Sequence, residues 1–170
     1  MLPTPLGPLW LAFSAKGLMA IHFHTPRQVP GPVWPVARRE DALTAHLRQW
    51  RQEVAAALEA YFAGQPTDFR HLTLDLHGTP FQLQVWEVLR LVPCGQRITY
   101  QKLAQAVGRP RAARAIGGAL RANPLPIIIP CHRVVASDGT LGGYRFGLSY
   151  KQALLSWERQ IIGQSSKPLS

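Results

Sequence analysis

The most informative stretch of this chain is residues 123–135, which read Asn-Pro-Leu-Pro-Ile-Ile-Ile-Pro-Cys-His-Arg-Val-Val. The apolar run Ile127–Ile129 predicts a buried strand. Pro130 has no N–H to donate, so we expect the hydrogen bonding of that strand to stop just before Cys131. A thiol at a strand end can be held rigidly and still be reached by a substrate. The alternative is that Cys131 is a small buried apolar residue beside a surface His132.

A pair of short helices joined by a glycine-containing turn is predicted upstream of this stretch. Thr99 is a suitable N-cap for a helix over 100–106, Gly108 marks a turn, and the next helix is predicted over 110–121. This is a helix-turn-helix pattern, although such pairs also occur as ordinary packing units.

The later helix of this pair carries an unusual surface. Gly117 and Gly118 each cost roughly 1 kcal/mol relative to alanine in a helix interior. Either another surface approaches this helix backbone closely, or a helix of the same protein packs tightly against it. Few long polar side chains could reach base edges, which favours minor-groove binding with little sequence preference. The nearby basic side chains are phosphate contacts or solvated surface charges; they are Lys102, Arg109, Arg111 and Arg121.

The first half of the chain predicts a small sheet and a long helix. Apolar runs over Leu9–Phe13 and Leu18–Phe23 predict a hairpin, and residues 71–76 alternate as a third strand would. Four prolines and a glycine over 25–35 predict an exposed loop. An apolar stripe at helical spacing predicts a helix over 41–62. We expect a strand-and-helix scaffold domain over 1–77, a mostly helical domain over 78–163 that contains the helix-turn-helix pattern and Cys131, and a frayed tail over 164–170.

Composition favours a polyanionic partner. The formal net charge is +10, from 19 Lys and Arg against 9 Asp and Glu, and nucleic acid is the first candidate. The alternative is a basic protein with a well-solvated surface. Cys94 and Cys131 are too few for a disulfide framework, and no zinc spacing occurs, so we expect reduced thiols and no metal. The N-terminus predicts neither a signal peptide nor a membrane span, which favours a soluble intracellular protein.

Residues 123–135 resemble the active-site signature of the O6-alkylguanine-DNA alkyltransferase family. The resemblance extends upstream through Arg114-Ala115-Ile116-Gly117-Gly118-Ala119-Leu120 and downstream through Gly142-Gly143-Tyr144 and the helix that contains Glu158. The opening Thr4-Pro5-Leu6-Gly7-Pro8-Leu9 is also similar. The family fold is α/β (α+β): a small N-terminal ribonuclease-H-like three-stranded sheet with helices, then a winged-helix-like C-terminal domain with a helix-turn-helix.

The resemblance implies single-turnover, suicide transfer of the alkyl group to the protein itself. Cys131 would be the nucleophile and permanent acceptor. His132 would act on it through a bridging water, and Glu158 would orient His132. Tyr100 would donate a proton toward the departing base. These are the parts of an activated nucleophile with its base and orienting group.

The resemblance also implies how the target base is reached. Arg114 would enter the duplex and replace a nucleotide that has been rotated out, and small residues at Ala115, Gly117 and Gly118 would allow the close approach. The remaining family positions are structural or line the substrate pocket: Asn123, Val134, Gly142, Gly143 and Tyr144. The implied partner is double-stranded DNA containing O6-alkylguanine. No cofactor is implied, and we expect a cytoplasmic, nucleoid-associated monomer of bacterial type that could cluster on DNA.

Two other classes of protein are considered. A non-catalytic alkyl-damage sensor of this family would have tryptophan in place of Cys131. A helix-turn-helix DNA-binding regulator would need longer base-reading side chains than the helix over 110–121 provides.

Overall fold

The computed structural model describes residues 1–23 and 45–165 of the chain. The predicted loop over 25–35 and the start of the predicted helix at 41–44 lie outside the described residues. The elements in chain order are β1 (Trp10–Ser14), β2 (Gly17–His22), α1 (Ala45–Phe62), α2 (Pro80–Arg90), β3 (Ile98–Thr99), α3 (Tyr100–Ala106), α4 (Ala113–Arg121), a 3-10 helix (Cys131–Arg133), β4 (Val134–Val135) and α5 (Leu148–Ser165). Helix α5 therefore continues into the predicted tail as far as Ser165.

The N-terminal sheet confirms the predicted hairpin. Strands β1 and β2 pair antiparallel, with a register shift between Ala12 and Phe13. The predicted third strand forms a single parallel bridge, in which Leu18 donates to the Thr73 carbonyl at 3.0 Å. After this bridge the chain leaves the sheet for the N-terminus of α2, so β1 and β2 are the two strands that pair over several residues in the described part of this sheet.

The end of α1 and the start of α2 each follow from local chemistry. The Gly64 backbone has φ of 86° and ends α1, as its N–H donates to the Tyr61 carbonyl at 3.2 Å. Thr79 caps α2 in a capping box with Gln82, and Pro80 occupies the first turn. These local signals make helix ends easier to predict than long-range contacts.

The helix-turn-helix is present as α3 and α4. The Thr99 hydroxyl accepts from the Lys102 N–H at 3.1 Å, and Gly108 adopts φ of 71° in the turn. Helix α4 begins at Ala113, not at residue 110 as predicted, because Arg109 and Ala112 close a separate turn (N···O 2.9 Å) first.

The predicted strand over Ile127–Ile129 is wrong. These residues form a buried turn instead, in which the Ile129 N–H donates to the Leu125 carbonyl at 2.8 Å. Prolines at 124, 126 and 130 lack the N–H groups that a strand ladder needs. Ile127 has φ of 75°, a costly conformation for a β-branched residue. Cys131 therefore opens a 3-10 helix and does not end a strand.

A single core connects the two halves of the described chain. Ile21 in β2 donates to the Pro124 carbonyl at 2.9 Å, just before the turn that leads to Cys131. Parallel pairing of β3 with β4 places Ile98 beside Val134. Tyr100 is thereby brought next to the chain that follows Cys131. None of the described helices has the length and apolarity to cross a bilayer.

Candidate active site

The Cys131 thiol is buried and held by an amide. Only 6% of the residue is exposed. The Asn123 side-chain N–H₂ donates to Cys131 Sγ at 3.1 Å and to the Ile129 carbonyl at 2.8 Å, while Asn123 Oδ1 accepts from the Leu125 N–H at 2.9 Å. One side chain therefore fixes both the turn and the sulphur.

The next residue, His132, forms a buried pair with a carboxylate from α5. His132 Nε2 lies 2.7 Å from Glu158 Oε1, and both residues are 0% exposed. His132 Nδ1 is buried and makes no hydrogen bond to the described part of the chain. Because an ionised Glu158 requires a proton on Nε2, the Nδ1 lone pair is left to accept a proton.

The Glu158 carboxylate is held by donors from several elements. Arg133 donates from Nε to both carboxylate oxygens at 3.1 and 3.0 Å, and from Nη2 to Oε1 at 2.8 Å. The Gly95 N–H donates to Oε2 at 3.0 Å, and the Tyr61 hydroxyl donates to Oε1 at 3.0 Å. Burial alone would raise the pKa of Glu158, but the hydrogen bonds from His132 and Arg133 hold that pKa far below its usual range. The carboxylate therefore stays ionised.

The thiol and the imidazole are both neutral at rest. Burial raises the pKa of Cys131, although the hydrogen bond from Asn123 and the charge of Lys151 act in the opposite direction. Burial lowers the pKa of His132, against the opposing effect of Glu158. A thiolate at Cys131 would lie within the field of Lys151, and an imidazolium at His132 would be paired with Glu158.

Lys151 is a buried cation next to the chain that follows Cys131. Its Nζ donates to the carbonyls of Val134 (2.5 Å), Leu141 and Gly143 (3.3 Å). Burial lowers the pKa of Lys151 to about 8, and attraction to Cys131 opposes that shift. Lys151 thus ties the chain after Cys131 to the loop over 141–143.

That loop lies against Tyr100. A Cβ at Gly142, where φ is 64°, would lie 2.9 Å from the Tyr100 hydroxyl, so a side chain there would displace the tyrosine. Burial raises the pKa of Tyr100, while a hydrogen bond with the Gly143 backbone lowers it. Tyr100, Gly142 and Gly143, all predicted site residues, therefore lie together.

Tyr144 and Val134 complete this side of the site. The Tyr144 hydroxyl interacts with Cys131 and lowers the pKa of the thiol, although it makes no hydrogen bond of standard geometry. The Val134 N–H donates to the Cys131 carbonyl, and the Val134 carbonyl accepts from Lys151. The carbonyls of Cys131 and Val134 therefore each already accept one internal hydrogen bond.

The predicted DNA-binding residues lie on α3, on α4 and in the turn between them, where Gly117 is half-buried. Arg114, Ala115 and Gly118 are exposed, whereas Ile116 and Ala119 pack into the core. The more peripheral basic side chains are also exposed: Lys102, Arg109, Arg111 and Arg121. The guanidinium of Arg109 additionally lies 5.6 Å from the Phe81 ring centroid.

Packing within the described chain does not explain the glycines of α4. A Cβ placed on Gly117 or on Gly118 would meet no other described atom within 4 Å. Tight packing of a helix of the same protein, one of two interpretations left open by the sequence, therefore has no support there. Close approach by another molecule is the other interpretation, and it stays a prediction.

Three site residues were missed by the sequence analysis: Tyr61, Arg133 and Lys151. A partial signal existed for Lys151, because it lies on the apolar stripe of α5 with Leu154, Leu155 and Glu158. A charged residue on a core-facing stripe needs buried partners. Cys94 lies near Glu158, and burial raises its pKa to about 11, so its thiol is a weak nucleophile.

Comparison with known proteins agrees with this geometry. Residues 1–76 match the family model for the ribonuclease-like domain of 6-O-methylguanine DNA methyltransferase, and residues 80–160 match its DNA binding domain. The chain is 40% identical over 169 residues to the methylated-DNA–protein-cysteine methyltransferase of Salmonella typhimurium, with 94% of each chain covered. It is also 40% identical over 165 residues to the protein of that name from Methanosarcina barkeri, with 95% of this chain and 97% of the relative covered.

Solved structures give the same result. The crystal structure of Mycobacterium tuberculosis OGT in complex with DNA is 34% identical and superposes with a TM-score of 0.75 over 94% of this chain and 92% of that one. The Mycobacterium tuberculosis O6-methylguanine methyltransferase superposes with a TM-score of 0.73 over 99% of this chain and 93% of that one, again at 34% identity. The chain belongs to the 6-O-methylguanine DNA methyltransferase family.

Proposed function

We propose that this protein repairs DNA by direct reversal, taking the alkyl group from O6-alkylguanine in double-stranded DNA onto its own Cys131. The observation that carries the proposal is the buried array in which Asn123 holds the thiol and Glu158 holds His132. Family membership over nearly the whole chain supports the same activity. We assign DNA binding and catalysis to residues 78–163 and a supporting role to residues 1–77.

The reaction begins when the Cys131 proton passes through a water to His132 Nδ1, the buried nitrogen that has no partner among the described residues. The imidazolium forms beside ionised Glu158, and the thiolate forms within the field of Lys151. Sulphur then donates an electron pair to the alkyl carbon. The new S–C bond forms as the C–O6 bond breaks, and guanine takes the bonding pair.

The departing guanine needs a proton to leave as a neutral base. Tyr100 supplies it from the wall formed with Gly142 and Gly143, and the resulting phenolate is reprotonated by the proton first taken by His132, carried through water. Overall, the thiol proton ends on guanine and the alkyl group ends on sulphur. Lys151 stays protonated and orders the loop over 141–143 during transfer.

Reaching the alkyl carbon requires the nucleotide to leave the base stack. Exposed Arg114 on α4 enters the duplex and fills the vacated space, while the lack of side chains at half-buried Gly117 and exposed Gly118 lets the helix come close to the DNA. Lys102, Arg109, Arg111 and Arg121 contact phosphates. We propose a monomer as the acting unit, located in the cytoplasm with the nucleoid.

Stoichiometry tests this function. O6-methylguanine should disappear from a synthetic duplex in proportion to the protein added, and repair should stop at one lesion per chain. Among the described residues no group is placed to remove an alkyl from Cys131, so excess substrate should remain unrepaired. Binding without loss of the lesion would indicate a damage sensor, and many turnovers per chain would contradict suicide transfer.

A further inference from the structure

A hydrogen bond from the N-terminal half of the chain reaches the catalytic carboxylate. Tyr61, in the last turn of α1, donates its hydroxyl proton to Glu158 Oε1 at 3.0 Å. Both residues are 0% exposed. The same Oε1 atom lies 2.7 Å from His132 Nε2. Tyr61 and His132 therefore share one acceptor atom, although they are distant in sequence.

We propose that Tyr61 is a positioning residue of the His132–Glu158 pair, which fixes Oε1 and sets the basicity of His132. The inference rests on the proposed function, since the basicity of His132 matters only if His132 takes the Cys131 proton. Tyr61 itself touches neither the thiol nor the substrate in this scheme.

The physical basis is competition for the carboxylate charge. A donor to Oε1 spreads part of the negative charge away from the imidazole, so the imidazolium gains less stabilisation from Glu158. The effect is strong here because the shared atom is buried in a region of low dielectric. Removing the Tyr61 hydroxyl should leave a more basic carboxylate and a more basic His132.

An interaction beside this one offers a matched control. The indole N–H of Trp157 donates to the Tyr61 main-chain carbonyl at 3.0 Å. It also joins α1 to α5, but it does not touch the carboxylate. Loss of the Trp157 hydrogen bond therefore weakens the same contact between helices without altering the acceptor atom that His132 uses.

Other groups also set the charge around this pair, and all of them are unchanged in the variants considered. Arg133 and Lys151 lower the pKa of His132 by charge repulsion, after the larger effects of burial and Glu158. The titratable groups that interact electrostatically with Glu158 are His132, Arg133, Cys94 and Tyr144, besides Tyr61 itself. Only the Tyr61 hydroxyl is removed in the test.

The experiment measures the rate of benzyl transfer from free O6-benzylguanine to Cys131 as a function of pH, in the wild-type chain, in Tyr61→Phe and in Trp157→Phe. The rate should fall on the acid side as His132 becomes protonated. In Tyr61→Phe that acid limb should move up by about half a pH unit to one unit. In Trp157→Phe the acid limb should lie at the same pH as in the wild type.

An unchanged acid limb in Tyr61→Phe would overturn the inference, and so would equal shifts in both variants, which would indicate loosened packing. NMR titration of His132 in the same proteins gives its pKa without any reaction. If the wild type accepts no benzyl group, the rate profile is measured with methyl transfer from O6-methylguanine in duplex DNA. If no methyl is transferred either, the proposed function fails, yet the titration still decides the role of Tyr61. If Tyr61→Phe does not fold, 3-fluorotyrosine at position 61, a stronger donor, should move the pKa of His132 down; no shift would refute the inference.

Discussion

The side-chain amide of Asn123 lies 3.1 Å from the sulphur of Cys131. The same amide nitrogen also donates to the Ile129 carbonyl, and its oxygen accepts from the Leu125 N–H. This residue therefore couples the shape of the turn after α4 to the ionisation of the thiol. Because α4 carries the proposed DNA surface, Asn123 connects the proposed DNA-binding helix to the reactive thiol.

Asn123→Ala should destabilise the protein and make the thiol less reactive. Each buried group left unpaired costs about 1–3 kcal/mol, and loss of the donor to sulphur should raise the pKa of Cys131 further. Urea unfolding would measure the first effect, and the pH dependence of alkylation by iodoacetamide the second. A Cys94→Ser background leaves one thiol to follow. An unchanged thiol profile would show that Asn123 serves the turn alone.

Gly118→Ala should separate folding from DNA binding. A Cβ there meets nothing within 4 Å in the described chain, so alanine should raise the free energy of unfolding by about 0.5–1 kcal/mol. Affinity for duplex DNA should fall, because the added methyl group holds the backbone away. Gly163→Ala is the matched control, since Gly163 is an exposed helical glycine with equal space in α5. Equal DNA affinity in both variants would argue against close approach at α4.

Arg114→Ala should impair repair of duplex DNA far more than reaction with free O6-benzylguanine, because only the duplex requires a nucleotide to be rotated out. Rates with the two substrates, at saturating DNA, give the comparison. Arg121→Ala, on the same helix, should weaken binding and lessen its salt dependence without this selective loss. Equal losses with both substrates in Arg114→Ala would refute its role in extrusion.

His132 should make stability depend on pH in a defined direction. Burial lowers the pKa of His132, so the folded chain keeps it neutral while the unfolded chain takes up a proton below about pH 6.5. The contribution of neutral, buried His132 to the free energy of unfolding is therefore complete above that pH. Below it, protonation stabilises the unfolded chain, and this contribution is lost as the pH falls toward the lower pKa of the folded protein. Denaturant unfolding from about pH 7.5 to about pH 5.5 should show a steeper decline in wild type than in His132→Gln. Parallel declines would mean that His132 titrates normally in the folded protein.

The sequence predicted the elements whose signals are local. Thr99 lies beside the backbone group that it caps, and Gly108 marks a chain reversal that needs positive φ. The apolar run at Ile127–Ile129 correctly predicted burial, but it predicted a strand where the structure has a turn. Apolar character does not specify backbone geometry, and the prolines on either side remove the donors of a strand.

The partners of the buried charges could not be predicted in the same way. The carbonyls that Lys151 contacts and the carboxylate that Tyr61 contacts are distant in sequence, and backbone carbonyls carry no residue-specific signal. Glu158 and His132 were predicted from a family resemblance, not from spacing alone. Only the folded arrangement reveals that α1, α5 and the 3-10 helix converge on one carboxylate.

Alkyl transfer to Cys131 is tested most directly by the intact mass of the protein after incubation with duplex DNA containing O6-methylguanine. Wild type and Cys94→Ser should each gain one methyl group in place of one hydrogen, with the modified peptide mapping to Cys131, and Cys131→Ser should gain nothing. A methyl group on any other residue, or no gain despite tight binding to the damaged duplex, would contradict transfer to Cys131.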